Sequence, residues 1–336
     1  MLDRLNRPLR DLRISVTDRC NLRCPYCMPR EVFGAEFRFM AREELLSFEE
    51  ITRVARVAAA QGVTKVRLTG GEPLLRRDLG RLVEMLAGVQ GVSDIALTTN
   101  GLLLARYAQR LRDAGLDRVT VSLDALDEAA LRSMSDASVS PEVILEGIEA
   151  ATRAGLEPIK VNMVVRRGRN DHCVQDMAEH FRHRPEIVRF IEFMDVGSTN
   201  GWRATDVVPA SEILAVIGAR WPLEPLAPER EGEVATRYRY RDGGGEIGLI
   251  HSVSSPFCGG CTRVRLSADG QLFTCLFARS GHDLRGLLRS GACDGELERR
   301  LGEIWAGRTD RYSAERSRVM DSPEMAPKVE MSYIGG

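Results

Sequence analysis

From residue 12 to about 195 one rhythm repeats along the chain: a short run in which apolar and polar residues alternate, a turn, then a stretch with apolar positions three and four apart. The alternating runs fall at 12–17, 65–69, 94–99, 118–123, 158–165 and 187–194, and helical patterns follow near 47–61, 77–88, 103–114, 141–154, 171–181 and 209–218. Gly62 and Gly115 stand where two of the helical patterns stop, as glycine caps do. Strands alternating with helices of this length predict βαβ units and a parallel sheet. A complete (β/α)8 barrel normally takes ~250 residues, and six units fill about 210 residues here. The expected fold class is therefore α/β: an incomplete (β/α)6 TIM-like barrel over 1–218, with an open doubly wound sheet as the alternative. Beyond residue 218 the rhythm stops. Runs at 237–241 and 246–252 flank Asp242-Gly-Gly-Gly245, and runs at 262–267 and 271–276 flank Asp269-Gly270, so two hairpins are expected in a smaller C-terminal α+β domain over 219–336.

The alternating runs carry an asymmetry. A parallel sheet covered by helices should be apolar on both faces, yet one face of most of these strands is polar. Leu12, Ile14 and Val16 alternate with Arg13, Ser15 and Thr17; Val66 and Leu68 with Lys65, Arg67 and Thr69; Val119 and Val121 with Arg118, Thr120 and Ser122; Val161 and Met163 with Lys160 and Asn162. If the apolar rows face the helices, the polar rows point into the barrel. A filled core would not hold that many unpaired cations. The expected lumen is a wet, cationic pocket for an anion with several charges, a polyphosphate above all.

Composition is that of a soluble globular chain, 43% hydrophobic and 28% charged. The formal net charge of −1 speaks against a bulk nucleic-acid-binding surface. The lack of an apolar stretch near 18 residues speaks against a membrane span. Eight cysteines in a chain without a signal-peptide pattern suggest ligands or catalytic groups in a reducing cytoplasm rather than disulfides.

Three of those cysteines, Cys20, Cys24 and Cys27, follow the first alternating run in a stretch without helical period. Three thiolates this close suit a cuboidal iron–sulfur cluster and leave one of its four irons for an exogenous ligand. Zinc is the rival occupant, but a structural zinc takes four ligands, and no fourth cysteine or histidine lies nearby in sequence. Gly70-Gly71-Glu72-Pro73 ends the second run and lets backbone approach a ligand closely. Thr98 and Ser122 stand near the ends of the third and fourth runs, where barrel active sites lie. A second group, Cys258, Cys261 and Cys275, converges if the Asp269-Gly270 hairpin folds, because Cys275 then lies opposite Arg263 or Val264. Zinc completed by Cys293, His251 or His282 stays open for that group. Arg263 and Arg265 share a strand face beside it, adding cation where a second anionic ligand could dock. Cys173 and Cys293 look like packed thiols, and the terminal Gly335-Gly336, on composition alone, reads as frayed chain.

Taken together, the first cysteine motif, the Gly-Gly-Glu-Pro loop and the six units resemble the radical S-adenosylmethionine superfamily. Ser15-Val-Thr-Asp-Arg-Cys20, Cys27-Met-Pro-Arg30, Arg67-Leu-Thr-Gly-Gly-Glu-Pro73, Thr98-Thr-Asn-Gly-Leu102, Arg189-Phe-Ile-Glu-Phe-Met-Asp195, the second cysteine group and the Gly-Gly tail narrow the resemblance to the GTP 3′,8-cyclases of molybdenum-cofactor biosynthesis. That resemblance implies two [4Fe–4S] clusters, one on Cys20, Cys24 and Cys27 and one on Cys258, Cys261 and Cys275, with S-adenosylmethionine on the first and guanine on the second. It implies Tyr26, Gly71, Ser122 and Met194 as contacts of S-adenosylmethionine. It implies Arg13, Arg67, Thr98, Lys160, Arg263 and Arg265 as contacts of GTP, with Lys65 and Arg189 as further candidates. Arg13, Arg263, Arg265 and the tail Gly335-Gly336, which would enter the pocket, are implied in catalysis. The reaction implied is removal of H3′ of GTP by a 5′-deoxyadenosyl radical, followed by C3′–C8 bond formation to 3′,8-cyclo-7,8-dihydro-GTP. The partners implied are an external electron donor of the flavodoxin or ferredoxin type and, in the pathway, cyclic pyranopterin monophosphate synthase; the chain itself is expected as a monomer or homodimer.

Two rivals are a peptide-modifying radical enzyme with an auxiliary cluster and a two-cluster electron carrier. The first usually has more C-terminal cysteines, and the second has fully ligated clusters.

Overall fold

The structure, a computed structural model, describes residues 1–229, 232–320 and 327–336. The βα rhythm is present as read: β1 Asp11–Ser15, α1 Phe48–Ala60, β2 Lys65–Thr69, α2 Leu79–Ala87, β3 Asp94–Thr99, α3 Leu104–Asp113, β4 Arg118–Ser122, α4 Glu128–Ser135, α5 Pro141–Arg153, β5 Lys160–Val165, α6 Val174–Phe181, β6 Ile187–Glu192 and α7 Ala210–Gly218. Gly62 and Gly115, at φ +109° and +102°, turn the chain out of α1 and α3 in backbone conformations that side chains disfavour. Helix α4 departs from the expected pattern. At eight residues it is too short to show a clear period, but Asp127 caps it by accepting the Ala130 N–H at 2.8 Å, and it buries Ala130, Leu131 and Met134.

After α7 come β7 Leu223–Pro225, β8 Thr236–Tyr240, β9 Glu246–Ile250, β10 Arg263–Leu266, β11 Gln271–Phe273 and β12 His282–Asp283, then α8 Arg285–Arg289, α9 Asp294–Ala306, α10 Tyr312–Met320 and α11 Met331–Ile334. Both hairpins form, β8 with β9 and β10 with β11. All twelve strands belong to one sheet, in the order β12-β11-β10-β1-β2-β3-β4-β5-β6-β9-β8-β7. The C-terminal segment thus adds one parallel strand to each edge of the six, β10 beside β1 and β9 beside β6.

The faces sort as the alternation requires. Leu12, Ile14, Val66, Leu68, Val119, Val121, Val161 and Met163 are all buried in the hydrophobic core. The intervening polar residues face the other way. Registers Arg13↔Arg265 and Arg13↔Arg67 align three arginines in one row across β10, β1 and β2. Among the described residues no helix is long and apolar enough to cross a membrane.

Candidate active site

The turn from β1 into Cys20–Cys27 is fastened to the Gly-Gly-Glu loop at the end of β2. The Gly71 N–H donates to Thr17 O at 2.9 Å and the Glu72 N–H to Arg19 O at 2.8 Å. A Cβ on Gly70 would lie 2.5 Å from Thr17 O, and one on Gly71 2.3 Å from Arg19 O. Glycine is needed here because two backbones touch. The fully buried Glu72 carboxylate then accepts from Leu74 N at 3.0 Å, Thr99 Oγ1 at 2.8 Å and Asn100 N at 2.8 Å, which ties the end of β3 to the same loop. Burial lifts that carboxyl to about 7 against its three donors.

Within the cysteine loop the N–H groups of Cys27 and Met28 donate to Cys24 O at 2.9 and 2.8 Å, winding the three thiols into one turn. All three are free and half-buried. Burial pushes the Cys24 and Cys27 thiols up; Cys27 and Asp124 add to it at Cys24, and Cys20 and Glu330 at Cys27. Such thiols become thiolates when iron supplies the balancing charge. Among the described residues no group of three or more His, Cys, Asp or Glu side chains is arranged around a single ion. A cuboidal cluster takes each thiolate on a different iron and asks for thiols around a volume rather than a point. Tyr26 beside them donates its hydroxyl to Asp124 at 2.7 Å.

A cavity of about 660 Å³ runs from this loop through the barrel to the second cysteine group, a size ordinary for a ligand site. It is lined by all six cysteines and by Tyr26, Gly71, Ser122, Met194, Arg13, Lys65, Arg67, Thr98, Lys160, Arg189, Arg263, Arg265 and Gly336; Gly335 stands back from the wall, as do Ser15, Thr17, Arg118 and Thr120 of the polar strand faces. Its cations outnumber its acids, and they are uncomfortable. Arg67 donates to Thr98 Oγ1 at 2.9 Å and Thr120 Oγ1 at 3.1 Å, and the buried Nε atoms of Arg67 and Arg13 have no hydrogen-bond partner among the described residues. Burial, then neighbouring arginines, draw Arg67 and Arg189 down to about 9. Lys65, 3.5 Å from Asp11, is drawn by burial to about 7. Arg118, expected in the lumen from the strand alternation, is instead absent from the cavity wall and paired with Asp94 at 2.6 Å. A buried row of this kind fits a polyanion.

At the far end, Arg263 donates to Cys261 Sγ at 3.2 Å. Burial raises the Cys261 thiol, but Arg263 and Arg308 outweigh it and bring it down to about 6. Cys275 is pushed up to about 11 by burial and Asp310. Two expectations need correction. The Gly335-Gly336 tail is not frayed: Gly335 O accepts from the buried Arg265 guanidinium, and Gly335, at φ +76°, packs so closely that a Cβ would lie 2.3 Å from Thr69 Cγ2. Upstream side chains hold it there, Tyr333 on Asp269 at 2.7 Å and Glu330 on Ser198 N and Thr199 Oγ1 at 2.9 Å each. Cys293 is not packed but exposed, and its N–H donates to Glu296 at 2.8 Å at the start of α9. Sequence reasoning also missed Arg7 and Arg308 under the second thiol group, which lie in stretches without any motif.

A radical S-adenosylmethionine superfamily model matches residues 14–181, and a molybdenum cofactor synthesis C-terminal model matches residues 187–314. The chain is 56% identical to the GTP 3′,8-cyclase of Acidothermus cellulolyticus, covering 99% of this chain and 98% of that one, and 49% identical to that of Staphylococcus aureus with the same coverage. The fold is shared with Streptococcus suis SuiB, solved with S-adenosylmethionine, at a TM-score of 0.61 and 15% identity over 94% of this chain and 71% of that one. These matches set it among the radical S-adenosylmethionine enzymes. Within them, the chain belongs to the GTP 3′,8-cyclase family.

Proposed function

We propose that this chain converts GTP to 3′,8-cyclo-7,8-dihydro-GTP for molybdenum-cofactor synthesis, with GTP and S-adenosylmethionine side by side in the barrel cavity. The observation that carries the reading is that two thiol triads line the opposite ends of one cavity whose wall between them is a row of buried cations. Cys20, Cys24 and Cys27 hold one [4Fe–4S] cluster, and Cys258, Cys261 and Cys275 a second. When loaded and reduced, the first would supply the electron for reductive cleavage of S-adenosylmethionine, the chemistry that removal of H3′ from GTP needs.

The protein's own share is placement and exclusion of water. Tyr26, Gly71, Ser122 and Met194 form the wall on which S-adenosylmethionine lies. Arg13, Lys65, Arg67, Thr98, Lys160 and Arg189 bind GTP, and Arg263 and Arg265 bind it nearer the second triad. The Gly335-Gly336 tail holds the Arg265 guanidinium in place. An external flavodoxin- or ferredoxin-type reductant, a cytoplasmic setting and cyclic pyranopterin monophosphate synthase as the next enzyme belong to the same reading.

Anaerobic reconstitution with iron and sulfide, reduction, and addition of S-adenosylmethionine with and without GTP test it. GTP-dependent 5′-deoxyadenosine together with a cyclised nucleotide is expected. Deoxyadenosine formation indifferent to GTP would overturn the reading.

A further inference from the structure

Two arginines, Arg7 and Arg308, line the cavity beside the second thiol group but stand outside the row that Arg265, Arg13 and Arg67 form across the sheet. Arg308 is buried, with its side chain 1% exposed. Its Nη2 donates to Cys261 Sγ at 3.1 Å, its Nη1 to Cys261 O at 2.7 Å, and its Nε to Asp310 at 3.3 Å. Its guanidinium rests 4.6 Å from the Trp305 ring centroid, and Asp3 lies 3.6 Å away. Asp3 also takes Arg7 Nε at 2.6 Å, and Arg7 Nη1 donates to Cys258 O at 2.9 Å and to Asp310 O at 2.8 Å. Guanidinium groups from two distant parts of the chain therefore grip the carbonyls of Cys258 and Cys261 and one thiol sulfur.

Arg263 also reaches the Cys261 sulfur, but it stands on β10 in the cavity wall and stacks on Phe257. Arg308 differs in being held between Asp3, Asp310 and the Trp305 ring. Those contacts hold its charge beside the sulfur. Hydrogen bonds to ligand sulfurs and nearby charge set the potential of an iron–sulfur cluster, and outer partners orient the ligands themselves. We propose that Arg308 is a positioning residue of the second cluster, locking the Cys261 thiolate and raising that cluster's reduction potential, with Arg7 bracing the loop at Cys258. The inference rests on the reading that Cys258, Cys261 and Cys275 hold a cluster.

The test uses the full chain with Cys20, Cys24 and Cys27 replaced by alanine, so that only the second cluster can assemble. Iron and sulfide content, loss of iron to a chelator, and the midpoint of an EPR-monitored redox titration are compared for this parent, for R308K and for R308Q. Expected are a midpoint that falls from parent to R308K to R308Q, and iron loss about tenfold faster in R308Q. Iron loss confined to R308Q, with R308K still loaded and far-UV circular dichroism unchanged, also supports the proposal. The same midpoint in all three proteins, or iron loss in both variants, overturns it. A parent that assembles no cluster instead refutes the cluster reading itself, and the inference with it.

Discussion

The two thiol triads present the same three donors, and their electrical surroundings part company at one of them, Cys261. At Cys24 and Cys27 burial raises the thiols, and Asp124 and Glu330 raise them further. At Cys261 burial is outweighed by Arg263 and Arg308, so that thiol is held near 6, while its neighbour Cys275 is pushed up to about 11 like the thiols of the first triad. Cluster potential follows local charge and hydrogen bonding to sulfur. On the proposed reading, the first site's surroundings favour giving up an electron, whereas the second site's favour keeping one. Cysteine spacing alone does not distinguish those roles; the residues packed around the cysteines do.

The strongest way to break that contrast is to remove one triad at a time. Cys24→Ala is expected to abolish S-adenosylmethionine cleavage, whereas Cys275→Ala retains cleavage but uncouples it from GTP. Cyclisation falls at least about a hundredfold in both, and product analysis by mass spectrometry separates the two losses. Next in size is deletion of Gly335 and Gly336, which removes the acceptor on Arg265. Cyclisation should vanish with both clusters' iron retained, and unchanged turnover in the truncated protein would refute a role for the tail. Gly71→Ala sharpens the first site alone: its Cβ would meet Arg19 O at 2.3 Å. A cost of about 1–3 kcal/mol is expected, with iron lost from the first cluster ahead of the second on thermal challenge.

Between the triads the effects are smaller and run in two directions. Arg67→Met is expected to weaken GTP binding about ten- to a hundredfold, the weight of about 1.5–3 kcal/mol for hydrogen bonds to a charged group. The GTP-free protein should melt higher, because a buried and partly unpaired cation is gone. Calorimetry and a thermal scan check the pair. Lys65 gives the smallest effect. Its pKa is drawn down by burial from 10.5 to about 7, so between those values the unfolded chain binds the proton and the folded one does not. Stability from this group therefore rises with pH from about 7 to 10.5 and is flat below. GTP should pull the proton back on, so binding at pH 8 takes up a proton in wild type and less in Lys65→Met, as measured by calorimetry in buffers of different ionisation enthalpy.

Where local period carries the information, the sequence is a good guide. The bounds of β2 and β3 coincide with the alternating runs at 65–69 and 94–99, and the same alternation already sends Arg13, Arg67 and Lys160 to the cavity. Helix α4 escapes because eight residues hold barely two turns. Arg7 and Arg308 escape for a different reason: the Arg7 contact to Cys258 spans 251 residues and the Arg308 contact to Cys261 spans 47, and nothing local marks either residue. The tail misleads because its last two residues have no side chains to argue from. Its order comes from Glu330, Tyr333 and the packing of Gly335 against Thr69.

Strands β1 and β10 lie side by side and run the same way, with the Thr262 carbonyl accepting from the N–H groups of Arg10 and Asp11 at 3.1 and 3.2 Å. Cys261 enters at the start of one strand and Cys20 leaves beyond the end of the other. Five residues of β1 at ~3.3 Å each make a gauge of about 17 Å. The wall between the thiol groups is thus spanned by a strand paired on both sides, with β10 and with β2, and it has no hinge along its length. On the proposed reading a substrate meets that stretch of wall at a set length, because β1 cannot be drawn out or shortened without breaking the ladders that join it to its neighbours.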